Sequence, residues 1–145
     1  MTNERFLPYV VEPSLGADRV ALAFLCNAYE EEDLGDNGSR VVLRLHPALA
    51  PYKVAVLPLQ KNKLGDKARE IHKLLTPKMM ADYDESGSIG KRYRRQDEVG
   101  TPFCVTVDFD TLEDGAVTVR ERDSMAQERV PISELARYLQ DRIAF

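Results

Sequence analysis

Residues 16–29 carry apolar side chains almost all the way round a helix: beside Val20, Ala21, Leu22, Phe24, Leu25 and Ala28 only Asp18, Arg19 and Asn27 are polar. A helix of this kind has no solvent face and must be covered. The start of the chain offers little to cover it. Residues 7–11 read as a strand with Pro8 near its start, the acidic segment 30–39 with Gly35 and Gly38 reads as a solvent loop, and 41–45 reads as a second short strand. Two short strands cannot enclose a helix that is hydrophobic all round. The expectation is that it packs on the rest of the chain, on a second copy, or on layers of a longer protein from which this chain has been cut.

The pattern changes after His46-Pro47-Ala48-Leu49-Ala50-Pro51-Tyr52, whose two prolines break helix and strand and suit an extended connector. A boundary is placed there, giving units at 1–45 and 53–145 joined by a linker at 46–52. In the second unit, residues 54–57 form a compact apolar strand, and Leu64, Ala68, Ile71 and Leu75 mark one helix face. Residues 79–83 read as a strand and a helix begins near Ser88, which suits an N-cap; Gly100-Thr101-Pro102 ends it. A strand at 103–109, an acidic turn at 110–115 and an alternating strand at 116–122 form a hairpin, followed by a strand at 127–130. A last amphipathic helix carries Ile132, Leu135, Ala136, Leu139 and Ile143, with Ser133 placed to cap it. The order β-α-β-α-β-β-β-α predicts an α/β unit with a mixed sheet flanked by helices, and about 90 residues suffice for such a core.

Several function classes are excluded early. No run of eighteen apolar residues exists, and residues 1–13 lack a charged head followed by an apolar core, so neither a membrane span nor a secretory signal is expected and the cytoplasm is the natural compartment. Cys26 and Cys104 each lie inside an apolar run and read as two buried structural thiols. Neither His46 nor His72 has a neighbouring Cys or a second His at helical spacing, so no metal site is expected. The net charge of -4 is unevenly spread. Residues 30–36 hold five acids and no base, 53–78 hold seven bases against Asp66 and Glu70, and 91–95 hold four bases in five residues. A basic face on an acidic protein suits nucleic acid, although charge blocks also serve as ordinary solvated surface.

Three segments carry possible chemistry. Glu12-Pro13-Ser14-Leu15-Gly16-Ala17-Asp18-Arg19 sets a carboxylate, a hydroxyl and a guanidinium around a strand-to-helix turn. Gly16 admits a ligand to the backbone, the helix start offers free amides, and the Arg19 fork suits phosphate. Glu12 and Ser14 alternate onto one face and can grip an ammonium group; the same letters also describe a capped helix with a solvent arginine. Ser88-Ile89-Gly90-Lys91-Arg92-Tyr93-Arg94-Arg95 sets cations and a tyrosine at a helix start, suited to phosphates and to stacking on a base, or to a solvated face. Residues 120–129, with Arg120, Arg122, Asp123 and Gln127, put hydrogen-bonding side chains on a strand pair, suited to unstacked base edges or to cross-strand ion pairs.

In this order the segments resemble the C-terminal part of a class II aminoacyl-tRNA synthetase, most closely the dimeric glycyl-tRNA synthetase family, over nearly the whole chain. Residues 9–19 are similar to the third class II motif in its glycine-specific form. Leu45-His46-Pro47-Ala48-Leu49-Ala50-Pro51 with the following Val54-Ala55-Val56-Leu57-Pro58-Leu59 resembles the entry to the anticodon-binding domain, and Ser88 to Tyr93 and Arg120 to Asp123 fit that domain. The resemblance implies that Arg19 binds ATP with Gly16, Ala17 and Asp18 lining the nucleotide site. It implies too that Glu12, Pro13, Ser14, Leu15 and Gly16 form the glycine site, with Glu12 and Ser14 holding the substrate.

It implies ATP and Mg2+ in a homodimeric parent enzyme, and glycine tRNA as partner. Lys91, Arg92, Tyr93 and Arg94 are then expected on phosphates and bases, and Arg120, Arg122, Asp123 and Gln127 nearer base edges. The first two class II motifs are absent from these residues, so the chain alone is expected to bind tRNA without forming an adenylate. A non-catalytic synthetase-like module that binds nucleic acid or protein is the alternative, and an α/β domain docking a protein through its apolar helix is a third.

Overall fold

The computed structural model describes residues 5, 7–35 and 38–144; the ends of the expected units at 1–4, 6 and 145, and positions 36 and 37 of the expected acidic loop, lie outside the described residues. The chain order is α1 (Ala17–Ala28), β1 (Tyr29–Asp33), β2 (Ser39–Leu43), β3 (Val54–Pro58), α2 (Lys61–Leu75), β4 (Ala81–Tyr83), α3 (Ile89–Val99), β5 (Phe103–Val107), α4 (Thr111–Asp114), β6 (Ala116–Glu121), β7 (Gln127–Pro131) and α5 (Ile132–Ile143). From β3 onward this is the expected order, with α4 added where an acidic turn was read. Five strands form one mixed sheet in the order β4-β3-β5-β6-β7, in which β3 runs parallel to β4 and β5 while β5, β6 and β7 are antiparallel neighbours.

Side chains alternate across this sheet and so build two different layers. Val54, Val56, Val105, Val117 and Val119 meet Leu64, Ile71 and Leu75 of α2 and Leu135 and Leu139 of α5 in the main core. Each of these leucines is wholly buried, worth roughly 1.5–3 kcal/mol apiece in area removed from water. The opposite face holds Ala55, Leu57 and Cys104 against Ile89 and Tyr93 of α3. Strand β3 is therefore buried on both sides, as its continuous apolar run requires. Ser88 occupies the N-cap of α3 without a side-chain bond, and Ser133 lies inside α5, whose N-cap is Pro131.

The N-terminal unit departs from expectation in three places and the linker in a fourth. Residues 7–11 form no strand and are exposed, Tyr9 to 97%. Residues 30–33, read as loop, belong to β1, which pairs antiparallel with β2 in register Glu30↔Val42 and Glu32↔Arg40. Ion pairs reinforce this ladder: Arg40 of β2 and Arg44 just beyond it bind Glu32 and Glu30. Helix α1 lies where it was expected, but of its residues only Ala28 is buried; Leu22 and Phe24 are 60% and 51% exposed, and Cys26, expected to be interior, is exposed with them. Finally, 46–52 folds into a turn where an extended connector was read. The Lys53 ammonium donates to the carbonyls of Pro47, Ala48 and Ala50 at 3.1, 2.7 and 2.7 Å.

That turn separates two sheets, yet the hairpin ahead of it docks on the body behind it. Asp97 of α3, 1% exposed, accepts both guanidinium nitrogens of Arg120 (2.9 and 3.1 Å) and Nη1 of Arg40 from β2 (3.2 Å). Arg40 also donates to the carbonyl of Arg122 at 2.9 Å, and Arg122 to the carbonyl of Gly100 at 2.9 Å. Replacing Asp97 with Ala strands two buried guanidinium groups, so stability in a urea titration should fall by roughly 3–5 kcal/mol. A fall below about 1 kcal/mol, the size of an exposed pair, would show the network to be dispensable.

Candidate nucleic-acid interface

The crossover through α2 covers one face of the sheet and the crossover through α3 covers the other, so the topology reverses beside β3. In open α/β sheets ligands sit outside the carboxyl ends of the strands at such a point. Two helix N-termini open there. Gln60 before α2 and Ser88 before α3 make no side-chain cap bond, leaving first-turn amides available to anions. Lys61, Lys63 and Lys91 are exposed in these first turns. Lys61 contacts Glu85 at 2.6 Å, and the Lys63 ammonium stands 5.7 Å from the centre of the Phe109 ring.

Around the corner, β6 and β7 present a polar strip of Thr118, Gln127 and Arg129. Arg129 bridges Asp108 (2.5 Å), Thr118 (3.0 Å) and both carboxylate oxygens of Asp114 (3.0 Å each). Partial burial opposes the charged form of Asp108. Hydrogen bonds from Arg129 and from the hydroxyl and amide of Thr111 outweigh it and hold the carboxyl below its ordinary range. Asp114 is held low as well, by the Ala116 amide first and then by Arg129 despite some desolvation.

The sequence candidates divide into accessible and spent. Lys91 and Gln127 are exposed, and Arg94 is half-buried with Nη1 on the Ser39 carbonyl at 2.7 Å. Arg92, expected on a phosphate, is 4% exposed and points inward to the carbonyls of Pro58 and Gly87. Arg120 and Arg122, expected near base edges, are 6% and 2% exposed and bind Asp97 and the Gly100 carbonyl. These three arginines satisfy buried acceptors and cannot reach a ligand without opening the fold. Asp123 is exposed but gripped by Arg122 at 2.7 Å and Arg44 at 3.1 Å. Tyr93 bonds Thr106 through its hydroxyl at 2.5 Å and carries the Arg120 guanidinium 4.9 Å from its ring centre, so one face is already occupied. Burial raises its hydroxyl pKa. Lys61 and Lys63, exposed in the basic block, and Arg129, on β7 opposite Thr118 within the segment 120–129, are not singled out by the sequence as individual candidates.

The segment proposed for nucleotide and amino acid stands apart. Glu12, Pro13, Ser14 and Leu15 form an exposed stretch outside helix and strand, Gly16 is the N-cap of α1, and Ala17, Asp18 and Arg19 make its first turn in solvent. A Cβ at Gly16 would lie 3.8 Å from Arg19 Cδ, so the arginine stem folds back over the open helix end.

The family profile described as "Anticodon binding domain" matches residues 53–142. The chain belongs to that family. Outside the domain the likeness continues. The chain is 65% identical over 144 residues to glycine–tRNA ligase of Geobacillus thermodenitrificans (strain NG80-2), covering 99% of this chain and 31% of that protein. Glycine–tRNA ligases of Bacillus anthracis (66%) and Clostridium tetani (strain Massachusetts / E88) (61%) match over the same shares. The chain thus spans about a third of the length of these relatives. The RNA binding domain of threonyl-tRNA synthetase from Cryptosporidium parvum Iowa II shares the fold with TM-score 0.63 and 22% identity, over 68% of this chain and 25% of that one. Among the described residues no helix is long and apolar enough to cross a membrane.

The anticodon-binding domain makes two expectations concrete. Because the folded pKa of Asp108 lies below its unfolded value of about 3.9, its pairing stabilises the domain fully above that pH and is lost as pH falls through the folded pKa. Asp108→Asn should therefore flatten the acid limb of a stability-against-pH curve, and an unchanged limb would remove Asp108 from the account. Arg122→Ala should lower unfolding stability by about 2 kcal/mol through the stranded Gly100 carbonyl, whereas Lys91→Ala should stay within about 0.5 kcal/mol. Equal effects in denaturant titrations would contradict the division into spent and accessible cations.

Proposed function

We propose that this chain is the anticodon-reading part of a glycine–tRNA ligase and binds glycine tRNA through the carboxyl edge of its five-stranded sheet. The observation that carries the reading is the 65% identity to a glycine–tRNA ligase over 99% of the chain, anticodon-binding domain and α1 segment together. Exposed bases at two open helix ends supply the salt-dependent grip on phosphates, from Lys61, Lys63 and Lys91 with Arg94 nearby. Gln127, exposed on β7 beside the ion-paired Arg129, offers an amide donor and acceptor to unstacked bases. Arg92, Arg120 and Arg122 hold the surface in shape.

In the parent ligase the glycine carboxylate displaces pyrophosphate from ATP to give glycyl-adenylate, and the glycyl group then passes to a hydroxyl of tRNA with release of AMP. Glycine offers no side chain to recognise, so its ammonium must be held by carboxylate and hydroxyl groups, the chemistry of Glu12 and Ser14, in a site without room for a methyl group. Arg19 and the uncapped amides of α1 suit nucleotide phosphates, with Gly16, Ala17 and Asp18 beside them. Mg2+ belongs to the parent's chemistry as a neutraliser of phosphate charge. Among the described residues no group of three His, Cys, Asp or Glu side chains could hold it. The proposed parent is a cytoplasmic homodimer. Glu12, Ser14 and Arg19 weigh against a purely non-catalytic module, which has no use for all three.

Titrating the chain with glycine tRNA, with the same tRNA carrying altered anticodon bases, and with an unrelated tRNA tests the proposal. The native anticodon should bind at least about tenfold tighter, about 1.4 kcal/mol. Lys63→Ala and Lys91→Ala should each reduce the salt slope by about 0.7. Equal and weak binding to all three RNAs would reduce the basic edge to ordinary surface, and pyrophosphate exchange by the chain alone would overturn its assignment as a part without adenylate chemistry.

A further inference from the structure

The hairpin β1–β2 is fastened to the anticodon-binding domain more firmly than a connector requires. Arg40, 2% exposed, donates to Asp97 of α3 (3.2 Å), to the carbonyls of Arg122 (2.9 Å) and Asp123 (3.4 Å), and pairs with Glu32 on the neighbouring strand. Arg44 adds Asp123 at 3.1 Å and Glu30. The backbones close on each other as well: Gly100 ends α3 at φ +83°, and a Cβ there would stand 2.8 Å from the Leu43 carbonyl oxygen. At its other end the hairpin grows out of α1 without a loop. Tyr29 follows Ala28 directly into β1, and the Arg44 amide donates to the Ala28 carbonyl at 2.7 Å.

We propose that Arg40, with Arg44 as its outer partner, is a positioning residue: it pins the hairpin to α3 and so holds α1, with Arg19 in its first turn, in fixed relation to the anticodon-binding surface. The functional meaning rests on the reading of the chain as part of a tRNA ligase. A tRNA gripped at one end presents its other end to a remote site only if the two sites keep their separation, and prepaid orientation of this kind is a large part of rate enhancement. Ion pairing suits the task better than apolar contact. A buried pair adds little net stability over hydrophobic side chains, but two guanidinium forks with fixed acceptors define one angle and one register.

The chain provides its own probe. Cys26 on α1 is exposed, whereas Cys104 is 1% exposed and burial pushes its thiol up to about 12, so a thiol-directed spin label takes Cys26 alone. A second label at Gln140→Cys on the exposed side of α5 gives the separation of α1 from the domain by pulsed electron resonance. The native distribution should be narrow and should broaden by roughly a factor of two or more in Arg40→Gln, with the circular dichroism and the affinity for glycine tRNA unchanged. Arg40→Lys, which keeps the charge and loses the fork, should lie between.

A lower unfolding midpoint with an unchanged distance distribution would mean that Arg40 only stabilises, and would overturn the proposal. If Arg40→Gln does not fold, Arg44→Gln at the partly exposed end of the same network decides it by the same two outcomes. Failure of the native chain to bind glycine tRNA would sink the functional reading separately, because the distance measurement stands without RNA.

Discussion

The carboxylate of Asp97 is shared by two arginines, one from the strand before the proline turn and one from the middle of the large sheet. Desolvating an ion at this depth costs several kcal/mol, and only the fork geometry of its partners recovers it. Much else follows from satisfying this one group. Arg120 must turn under α3, which places its plane on Tyr93; Arg40 must cross to α3, which brings the hairpin and its acidic strand with it; and α3 must end at Gly100 so that the Leu43 backbone fits. Burial of Leu64, Ile71 and Leu139 on the other face supplies the bulk of the stability. That apolar layer would tolerate many angles for the N-terminal hairpin, and the polar layer tolerates one.

The parts of this architecture that were legible in the sequence are those written in local periodicity. Leu64, Ala68, Ile71 and Leu75 recur at helical spacing, and the run at 54–57 is too short for a helix and too apolar for an exposed strand, so α2 and β3 follow from neighbours along the chain. Strand β1 has no such mark. Tyr29-Glu30-Glu31-Glu32-Asp33 carries no apolar alternation; it pairs with β2 along the backbone, and Arg40 of β2 and Arg44 just after it bind its glutamates. The converse holds at 7–11, where strand-forming residues meet no strand partner among the described residues and form no ladder.

The same distinction governs the candidate site. Lys91, Arg92 and Arg94 are three cations within four residues, and nothing local separates the one that points at the Pro58 carbonyl from the one that faces water. Helical geometry offers a partial signal, since Ile89, Arg92 and Gln96 share the face that α3 turns to the protein, and a long arginine stem can be buried where its fork finds carbonyls. For Arg120 the signal was present but ambiguous. Alternation put it opposite Val117 and Val119, which marks the other face of β6 without saying that α3 covers that face. Only the distant Asp97 decides the matter.

An acidic chain proposed to bind an acidic polymer must separate its charges, and here the separation follows from which carboxylates are consumed. Glu30, Glu32, Asp97 and Asp123 are bound to arginines within the hairpin junction, and Asp108 and Asp114 to Arg129. Lysines remain the exposed cations at the first turns of α2 and α3. The division of labour matches the chemistry of the two side chains: the rigid, weakly hydrated guanidinium fork suits buried carboxylates and carbonyls, and the flexible, strongly hydrated ammonium suits phosphates that must be gripped and released. A net charge of -4 therefore sets no obstacle to RNA binding, because at a screening length of about 8 Å a phosphate at the sheet edge responds to the lysines beside it far more than to the acids locked in the hairpin.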